Sequence, residues 1–516
     1  MGVIRKNITW LFVFQVLTWV TTLVVLTAIP DHLGDEGYGT FAYVVGYIGF
    51  FTLIVGLGSS TYLAREIARD HSVAGPFVFN AVLMKLVLVV VFSAVALGLA
   101  VLLGDRGETL LLMAIFCIGM LFQALNEVFG GSLAGMERLA KPAMWMVVQV
   151  YVQSILGLYL VVGLGLGVVA FGTVMSLGVV IPMVACGVML WPRVRGHMRL
   201  DLGVWRKLVV GGIPLLALTV FNLIYGTVDI PILKQVAGTR DVGWYAVALR
   251  WAGLPIFVAT AVMSAYFPSF SAHGKPVTPQ YAPLVNRATR LVSLATLPAA
   301  VGLALISSDL FHLVYDHQYD DAIPAMVILC FSIPLIALDS VLASALIAAE
   351  RMNRYLAVSV IAAVINPIGC IVLINVTLDR YDNGAIGTAI MTVATELIVL
   401  VGALKFRLPG VLDRATLSNL ARTVLASLVM VPVVVAATDL PVPVQIVLGA
   451  ITYAVAAIVL GAVTRDEVRA GARPVRAIIG RFNPRRKEPP TGAEGSNAEK
   501  PGAAPPRDDA TLRSDP

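Results

Sequence analysis

The chain has 516 residues, of which 58% are hydrophobic and only 13% are charged, and its mean hydropathy is +0.86. Soluble domains carry about 25% charged residues, so this composition excludes a soluble protein and predicts a polytopic membrane protein. The net charge of +6 does not indicate a nucleic-acid partner, because the basic residues are concentrated in alternate loops and in the C-terminal tail.

Apolar runs long enough to cross a bilayer recur along the whole chain. They lie near 7–29, 40–63, 77–103, 110–134, 142–163, 168–191, 208–233, 243–268, 282–313, 323–348, 353–376, 384–405, 416–437 and 444–464. The first run is long enough to span, so we expect it to remain as a helix rather than to be cleaved as a signal peptide. The predicted fold class is therefore an all-α integral membrane protein with fourteen transmembrane helices.

Lys and Arg residues are concentrated in alternate connections between these runs. The N-terminus and the even-numbered connections carry most of them, whereas the odd-numbered connections carry only Arg106, Lys234, Arg240 and Arg380 and include the acidic stretches PDHLGDEG and YDHQYDD. Cytoplasmic loops are enriched in Lys and Arg. We therefore predict a multi-pass protein of the cell membrane whose two termini and 192–207 loop are cytoplasmic.

One stretch of the sequence occurs twice. LGDEGYGTFA at 33–42 aligns with AGTRDVGWYA at 237–246, at an offset of 204 residues (237 minus 33). The matched glycines are Gly34 with Gly238 and Gly39 with Gly243. A second match follows, in which GMERLAKPAMWMVVQVYVQ at 135–153 aligns with AAERMNRYLAVSVIAAVIN at 348–366. Chance similarity between apolar segments is the alternative explanation for both.

A duplication would give the protein two lobes. Six predicted helices, an even number, separate the copies, so the copies share one orientation. This predicts two six-helix lobes around a central cavity, related by a pseudo-two-fold axis along the membrane normal. The predicted segments are an N-lobe at 1–191, a cytoplasmic loop at 192–207, a C-lobe at 208–407, two further helices within 408–464 and a cytoplasmic tail at 465–516. The tail is rich in Pro, Gly, Ala and charge from Glu488 onward, which predicts disorder over most of it.

Ionisable residues within the predicted spans are candidates for function, because charge inside a bilayer is costly and usually faces a bundle interior or a water-filled cavity. They are Lys85, Glu127, Asp229, Arg250, Asp309, Asp339 and Glu396. We expect Asp229 and Asp309 to reach headgroup water from the outer ends of their helices, and Lys85 can snorkel. Arg250, Asp339 and Glu396 lie deeper. They bind substrate or ions, or they form a structural ion pair.

Uncharged polar residues also lie at helical spacing, in stripes that include Gln15, Gln153 and Asn222. Hydrogen bonding between helices explains any single stripe, whereas stripes in both lobes predict a shared polar cavity. The candidate substrate-binding residues are Arg250, Lys85, Gln15, Asn222 and Gln153, and the candidate ion-coupling residues are Asp339 and Glu396. The sequence contains no Walker A, GxSxG, HExxH or CxxC motif. We therefore expect no enzyme activity, cofactor, disulfide or metal site.

The segments NITWLFVFQVLTWVTTLVVL, LGDEGYGTFAY, GWYAVALRWAG and NGAIGTAIMTVATE, together with the 6+6+2 helix arrangement, resemble the polysaccharide and oligosaccharide flippases. These belong to the multidrug/oligosaccharidyl-lipid/polysaccharide (MOP) exporter superfamily. The resemblance covers roughly residues 1–464. It implies two V-shaped lobes around a central cavity that moves a polyprenyl-linked glycan from the inner to the outer leaflet. It also implies membrane lipids, H⁺ or Na⁺, and glycan polymerases or glycosyltransferases as partners.

Three other functions remain open. A lipid II flippase would use cavity arginines for the pyrophosphate, a role to which only Arg250 and Lys85 can be assigned here. A cation-coupled drug or metabolite antiporter of the same superfamily would use membrane carboxylates such as Asp339 and Glu396, although such exporters typically have twelve helices. A non-transporting scaffold of a glycan-assembly complex is the third alternative.

Overall fold

Helices account for nearly all of the part of the chain that the structure describes. The computed structural model describes residues 2–463 apart from 139 and 316, and for 2–23, 26, 140 and 214–225 it describes the backbone alone. The first nine helices are α1 (Gly2–Gly56), α2 (Ser59–Arg69), α3 (Ala74–Leu102), α4 (Gly107–Gly135), α5 (Ala140–Leu158), α6 (Val168–Leu177), α7 (Val180–Val194), α8 (Leu202–Thr227) and α9 (Asp229–Val236).

The remaining helices repeat the pattern of long spans joined by short connections. They are α10 (Thr239–Gly253), α11 (Ile256–Gly274), α12 (Tyr281–Tyr315), α13 (Ile323–Cys330), α14 (Ser332–Ala348), α15 (Met352–Tyr381), α16 (Gly384–Lys405), α17 (Arg414–Val435) and α18 (Val442–Val459). No β-strand occurs within residues 2–463, so the all-α prediction is confirmed for that part of the chain.

Eleven helical segments of the described chain are long and apolar enough to cross a membrane, or twelve if the bent pair α10–α11 is one span. The other two predicted spans, near 7–29 and 208–233, lie partly on residues whose side chains are outside the description. The count of fourteen therefore stays a prediction. The predicted cytoplasmic tail at 465–516 also lies outside the described residues.

Several predicted spans are broken rather than continuous, and in two of them the cause of the break is visible. The span predicted at 40–63 ends at Gly56 and resumes at Ser59, because Leu57 and Gly58 take positive φ angles of 51° and 61°. The span predicted at 243–268 bends by 45° between α10 and α11, where Pro255 cannot donate a backbone hydrogen bond.

Positions that the sequence repeats match with each other also share unusual backbone conformations. Gly34 and Gly238, matched by the first repeat, have φ angles of 72° and 106°, a region that favours glycine. The second repeat matches Glu137 with Glu350, and these too share a left-handed conformation, with φ angles of 60° and 56°. Each of the two glutamates follows a helix that ends in the same way. The amides of Arg138 and Arg351 donate to Leu133 O at 2.9 Å and to Leu346 O at 2.8 Å.

Connections of the same parity lie together in space. On one side, Arg240 Nε pairs with Asp35 Oδ2 at 2.8 Å, Lys234 pairs with Asp105, and Asn383 Nδ2 donates to Asp321 O at 2.8 Å. On the other side, Lys275 pairs with Glu350, Asn80 donates to Arg199 O and Asn286 donates to Gly410 O. This grouping agrees with the predicted alternation of spans. We call the side of Asp35 the outer side, following the charge asymmetry.

The lobes meet on the outer side through backbone that has no room for a side chain. A Cβ atom at Gly39 would lie 1.8 Å from Thr239 O, and one at Gly243 would lie 2.1 Å from Asp35 O. The second half of α1 and α10 therefore cross in direct contact, at positions related by the repeat.

A similar contact on the inner side joins α8 to the break between α1 and α2. There a Cβ atom at Gly212 would lie 2.1 Å from Leu57 O. The two predicted lobes are thus in close contact near both ends of their helices.

Candidate functional site

Arg250 lies near the end of α10, beside the outer contact between the lobes. Its side chain is exposed, and its charge acts on Tyr38 of α1 and Tyr315 of α12. In the described part of the chain, no ion pair or side-chain hydrogen bond of Arg250 is found, whether with Asp229, Asp339 or any other residue. As far as the described side chains go, the guanidinium thus has its donors available for an anion from outside the chain.

An apolar cavity of about 410 Å³ runs between the end of α10, α12, α17 and α18, and Trp251, the residue after Arg250, lines it. Its lining also includes Leu254, Gly302, Met430 and Ala450. The helices that sequence analysis placed outside the two lobes, at 408–464, thus form one wall of this groove. An exposed cation close in sequence to an apolar groove suits an amphiphile with an anionic head and a hydrocarbon chain.

The C-lobe buries a carboxyl group in a polar cluster centred on Asp229, which is 3% exposed. Asp229 Oδ2 accepts from Tyr245 OH at 3.3 Å and from Thr392 Oγ1 at 3.2 Å, and Oδ1 accepts from Cys370 Sγ at 3.4 Å. Asn366 lies in the same cluster, since Cys370 Sγ is also 3.7 Å from its Oδ1. The expectation that Asp229 reaches headgroup water is wrong, because the break between α8 and α9 turns it into the protein.

The predicted ion-coupling residues lie close to this cluster. Asp339 is 6% exposed, and its Oδ2 accepts from Tyr355 OH at 2.9 Å. Its Oδ1 is buried and has no hydrogen-bond partner among the described residues. Glu396 is partly buried, within range of the charges of both Asp339 and Asp229. The structure thus brings the two predicted residues together and adds Asp229 as a third.

Lys85 lies inside the N-lobe rather than at its surface. It is fully buried, and its Nζ donates to the carbonyls of Val55 at 2.5 Å and Gly56 at 2.6 Å, which end α1 at the break. The charge of Glu127 lies nearby. Lys85 does not snorkel, and its surroundings give no support to a role in substrate binding.

The N-lobe has a cavity of its own, with a lining that is mostly apolar but includes several polar side chains. It measures about 360 Å³, and its lining includes Thr52, Gln123, Glu127 and Ser176. Glu127 thus lies between this cavity and Lys85, so the cavity has an acidic rather than a basic wall.

Of the three uncharged residues predicted to bind substrate, the structure describes the side chain of one, Gln153. Gln153 is 9% exposed, and its Nε2 donates to Met175 O at 2.6 Å, so it connects α5 to α6 within the N-lobe. This contact is the structural role that was the alternative to substrate binding. The side chains of Gln15 and Asn222 lie outside the described residues, and their roles stay predictions.

Asp309, the other residue expected at the headgroup level, accepts from Gln445 of α18 at 2.7 Å and is partly buried. This contact joins α12 to α18, across one end of the apolar groove.

Sequence reasoning missed the Asp229 cluster as a unit because its members come from α9, α10, α15 and α16. Asn366, the last residue of the second repeat, was a visible signal, but nothing in the sequence spacing joins it to Asp229. The connection exists only through packing of separate helices.

Comparison with known structures shows the same fold at low sequence identity. A structure of the lipid II flippase MurJ in an inward closed conformation has a TM-score of 0.70 at 16% identity, covering 86% of this chain and 98% of the other. An inward-facing multidrug resistance MATE family transporter of the MOP superfamily has a TM-score of 0.60 at 18% identity, covering 77% and 96%. The eukaryotic MATE transporter AtDTX14 has a TM-score of 0.50 at 13% identity, covering 75% and 91%.

Comparison at the level of sequence identifies the family. No curated protein sequence matches the chain. A family model described as "Polysaccharide biosynthesis protein" matches residues 4–273, just over half of the chain. The chain therefore belongs to the polysaccharide biosynthesis protein family, and its fold is that of the MOP superfamily transporters.

Proposed function

We propose that this protein is a flippase that moves a polyprenyl-(pyro)phosphate-linked oligosaccharide from the cytoplasmic to the outer leaflet of the cell membrane by alternating access. The observation that carries the proposal is the exposed Arg250 directly before Trp251 in the chain, where Trp251 lines the apolar groove between α12, α17 and α18. A guanidinium stays charged and offers a planar fork of donors that matches phosphate oxygens. The groove beside it has the apolar lining that a polyprenyl chain requires.

The substrate class follows from matching each part of such a molecule to a part of the protein. The phosphate or pyrophosphate contacts Arg250, the hydrocarbon chain lies along the groove past Leu254 and Ala450, and the glycan occupies polar space between the lobes. Lipid II belongs to the same chemical class, and MurJ is a lipid II flippase. Because Lys85 is held inside the N-lobe, Arg250 is the candidate cation left for this site among the described side chains.

Coupling to an ion would use the buried carboxyl groups of the C-lobe. A buried carboxylate is costly unless it is protonated, paired or hydrated. Oxygen atoms of Asp229, Tyr245, Thr392 and Asn366 form the kind of environment that hard cations prefer. We infer that H⁺ or Na⁺ occupies this cluster during the cycle, with Asp339 and Glu396 close enough to respond to its charge.

The test is transport by purified protein in proteoliposomes that contain a fluorescent short-chain polyprenyl-pyrophosphate oligosaccharide. Loss of a charged hydrogen-bonding partner costs about 1.5–3 kcal/mol, so Arg250→Ala should flip roughly 10- to 100-fold more slowly. Arg250→Lys should recover part of the rate. Ala450→Phe, which fills the groove without touching Arg250, should also slow flipping.

Three outcomes would reject this proposal. Wild-type flipping by Arg250→Ala would remove the role of the guanidinium, and full rescue by adding Asp229→Asn or Asp339→Asn would make Arg250 a structural partner instead. Exchange of organic cations for H⁺ or Na⁺, without any movement of the lipid-linked glycan, would favour the drug antiporter. Activity in neither assay would favour the scaffold.

A further inference from the structure

Three metal-ligating side chains converge on the outer side, away from the site described above. His312 lies near the end of α12, His317 in the loop that follows, and Asp320 begins the 3₁₀ turn before α13. His312 Nε2 is 2.9 Å from Asp320 Oδ1, and His317 Nδ1 is 3.0 Å from Asp320 Oδ2. One ligand atom from each of the three residues lies within 4.8 Å of the others. All three side chains are exposed, so an ion can reach them.

We propose that His312, His317 and Asp320 bind a divalent transition metal ion such as Zn²⁺ or Ni²⁺. Two imidazoles and one carboxylate form a ligand set typical of zinc, with bonds of about 2.0–2.2 Å and a fourth position for water. Donor atoms around such an ion are about 3.3 Å apart in tetrahedral geometry. The two imidazole nitrogens lie 2.9 and 3.0 Å from the two oxygens of Asp320, and the three ligand atoms, which lie within 4.8 Å of one another, draw together around the ion. Mg²⁺ and Ca²⁺ prefer sites made of oxygen alone and are not expected to bind here.

The same loop carries part of the contact between the predicted lobes. Tyr319 OH donates to Pro30 O of α1 at 3.1 Å, and Trp251 Nε1 donates to Tyr315 OH at 3.0 Å. The rings of Tyr315 and Tyr319 lie 4.9 Å apart. A metal that joins His312 to Asp320 closes a ring of chain around both tyrosines. The bound metal therefore favours the arrangement in which this loop contacts α1, and separation of α1 from the loop weakens metal binding.

Binding is tested on the full chain in nanodiscs by competition for Zn²⁺ with a chromophoric chelator. The variant His312→Ala/His317→Ala should bind Zn²⁺ at least about tenfold more weakly than wild type. Asp320→Asn, which keeps a polar side chain of the same size, should also weaken binding. The matched control His71→Ala/His197→Ala removes two imidazoles from the inner side and should bind as wild type. Equal Zn²⁺ affinity in the wild type and in His312→Ala/His317→Ala would overturn the proposal.

The link to the contact between the lobes is tested by hydrogen exchange of the same samples. Zn²⁺ should slow amide exchange in peptides covering 312–322 and 27–36, in the wild type and in the His71/His197 control, whereas Mg²⁺ should have no effect. Zn²⁺ binding with unchanged exchange in 27–36 would show that the metal does not act on the contact with α1. Neither measurement depends on the transported substrate, so failure here is distinguishable from failure of the flippase proposal.

Discussion

The glycine contact on the outer side predicts that a single methyl group changes the conformational equilibrium. In Gly243→Ala, the new Cβ would lie 2.1 Å from Asp35 O, whereas a carbon–oxygen contact needs about 3.3 Å. The helices must therefore separate by about 1.2 Å in the outer-closed state, which also stretches the Asp35–Arg240 ion pair from 2.8 Å. Overpacking of this kind costs about 1–3 kcal/mol.

That cost applies only while α1 and α10 are in contact, so it shifts the equilibrium rather than unfolding the protein. A difference of 1–3 kcal/mol corresponds to a shift of about 5- to 150-fold toward outer-open states. Gly39→Ala, whose Cβ would lie 1.8 Å from Thr239 O, should act in the same direction. Gly212→Ala, with its clash on the inner side, should act in the opposite direction.

The assay is the distribution of distances between spin labels on cysteines introduced at Glu36 and Arg380. Both positions are exposed on the outer side, whereas the four native cysteines are buried. Gly98→Ala is the matched control, since nothing lies within 4 Å of a Cβ at that position. If Gly243→Ala and Gly39→Ala give the wild-type distribution, the contact does not close the outer side.

Two further predictions follow from the structure and two from the sequence. Asp229→Asn should slow flipping in proteoliposomes about tenfold or more and change the dependence of the flipping rate on H⁺ or Na⁺. The control is Asp309→Asn, because the Asp309 carboxyl contacts only Gln445 among the described side chains. An unchanged ion dependence in Asp229→Asn would contradict the role of the cluster. Lys85→Met should lower the free energy of unfolding by about 3 kcal/mol, because the Val55 and Gly56 carbonyls lose their hydrogen-bond donor. A wild-type melting temperature together with impaired substrate binding would instead support the predicted role of Lys85 in substrate binding. In intact cells, a cysteine that replaces Arg195 should not react with an impermeant maleimide, whereas one that replaces Gln318 should react. The reverse labelling pattern would show that the predicted orientation in the membrane is wrong. Deletion of residues 488–516 should leave transport intact, and a truncated protein that inserts normally but fails in the flipping assay would refute this.

The duplication was predictable from sequence because it depends on backbone requirements that individual residues reveal. Gly34 and Gly238 occupy the same left-handed conformation, and Gly39 and Gly243 meet each other's helices, so glycine is needed at all four positions. Helix existence was equally predictable, since long apolar runs in a membrane have few alternatives to helix.

The sequence could not predict how deep the ionisable side chains lie in the protein or which way they point. Asp229 was placed at the headgroup level because its position was judged from the span boundaries, whereas the turn at Val228 directs it into the C-lobe. The side chain of Lys85 is long enough to snorkel. Because α1 ends just before Leu57 and Gly58, however, two backbone carbonyls accept hydrogen bonds from its ammonium group within the N-lobe. Both errors arise from helix breaks, whose effect on neighbouring side chains depends on how the next helix packs.

Arg250 pairs with no counter-charge among the side chains that the structure describes, and this has an electrical consequence. Moving one elementary charge through the whole membrane potential changes its free energy by about 2.3 kcal/mol per 100 mV. We place Arg250 roughly 10 Å below the outer boundary, about a third of the hydrocarbon thickness. Tilting of α10 that carries the charge over that distance would couple to about 0.8 kcal/mol per 100 mV. Binding of a headgroup with a single negative charge would cancel this charge, whereas a pyrophosphate, which carries more than one, would reverse its sign. The empty and the loaded transporter should therefore respond differently to the membrane potential, which a potassium diffusion potential imposed across proteoliposomes would reveal as a voltage-dependent return step.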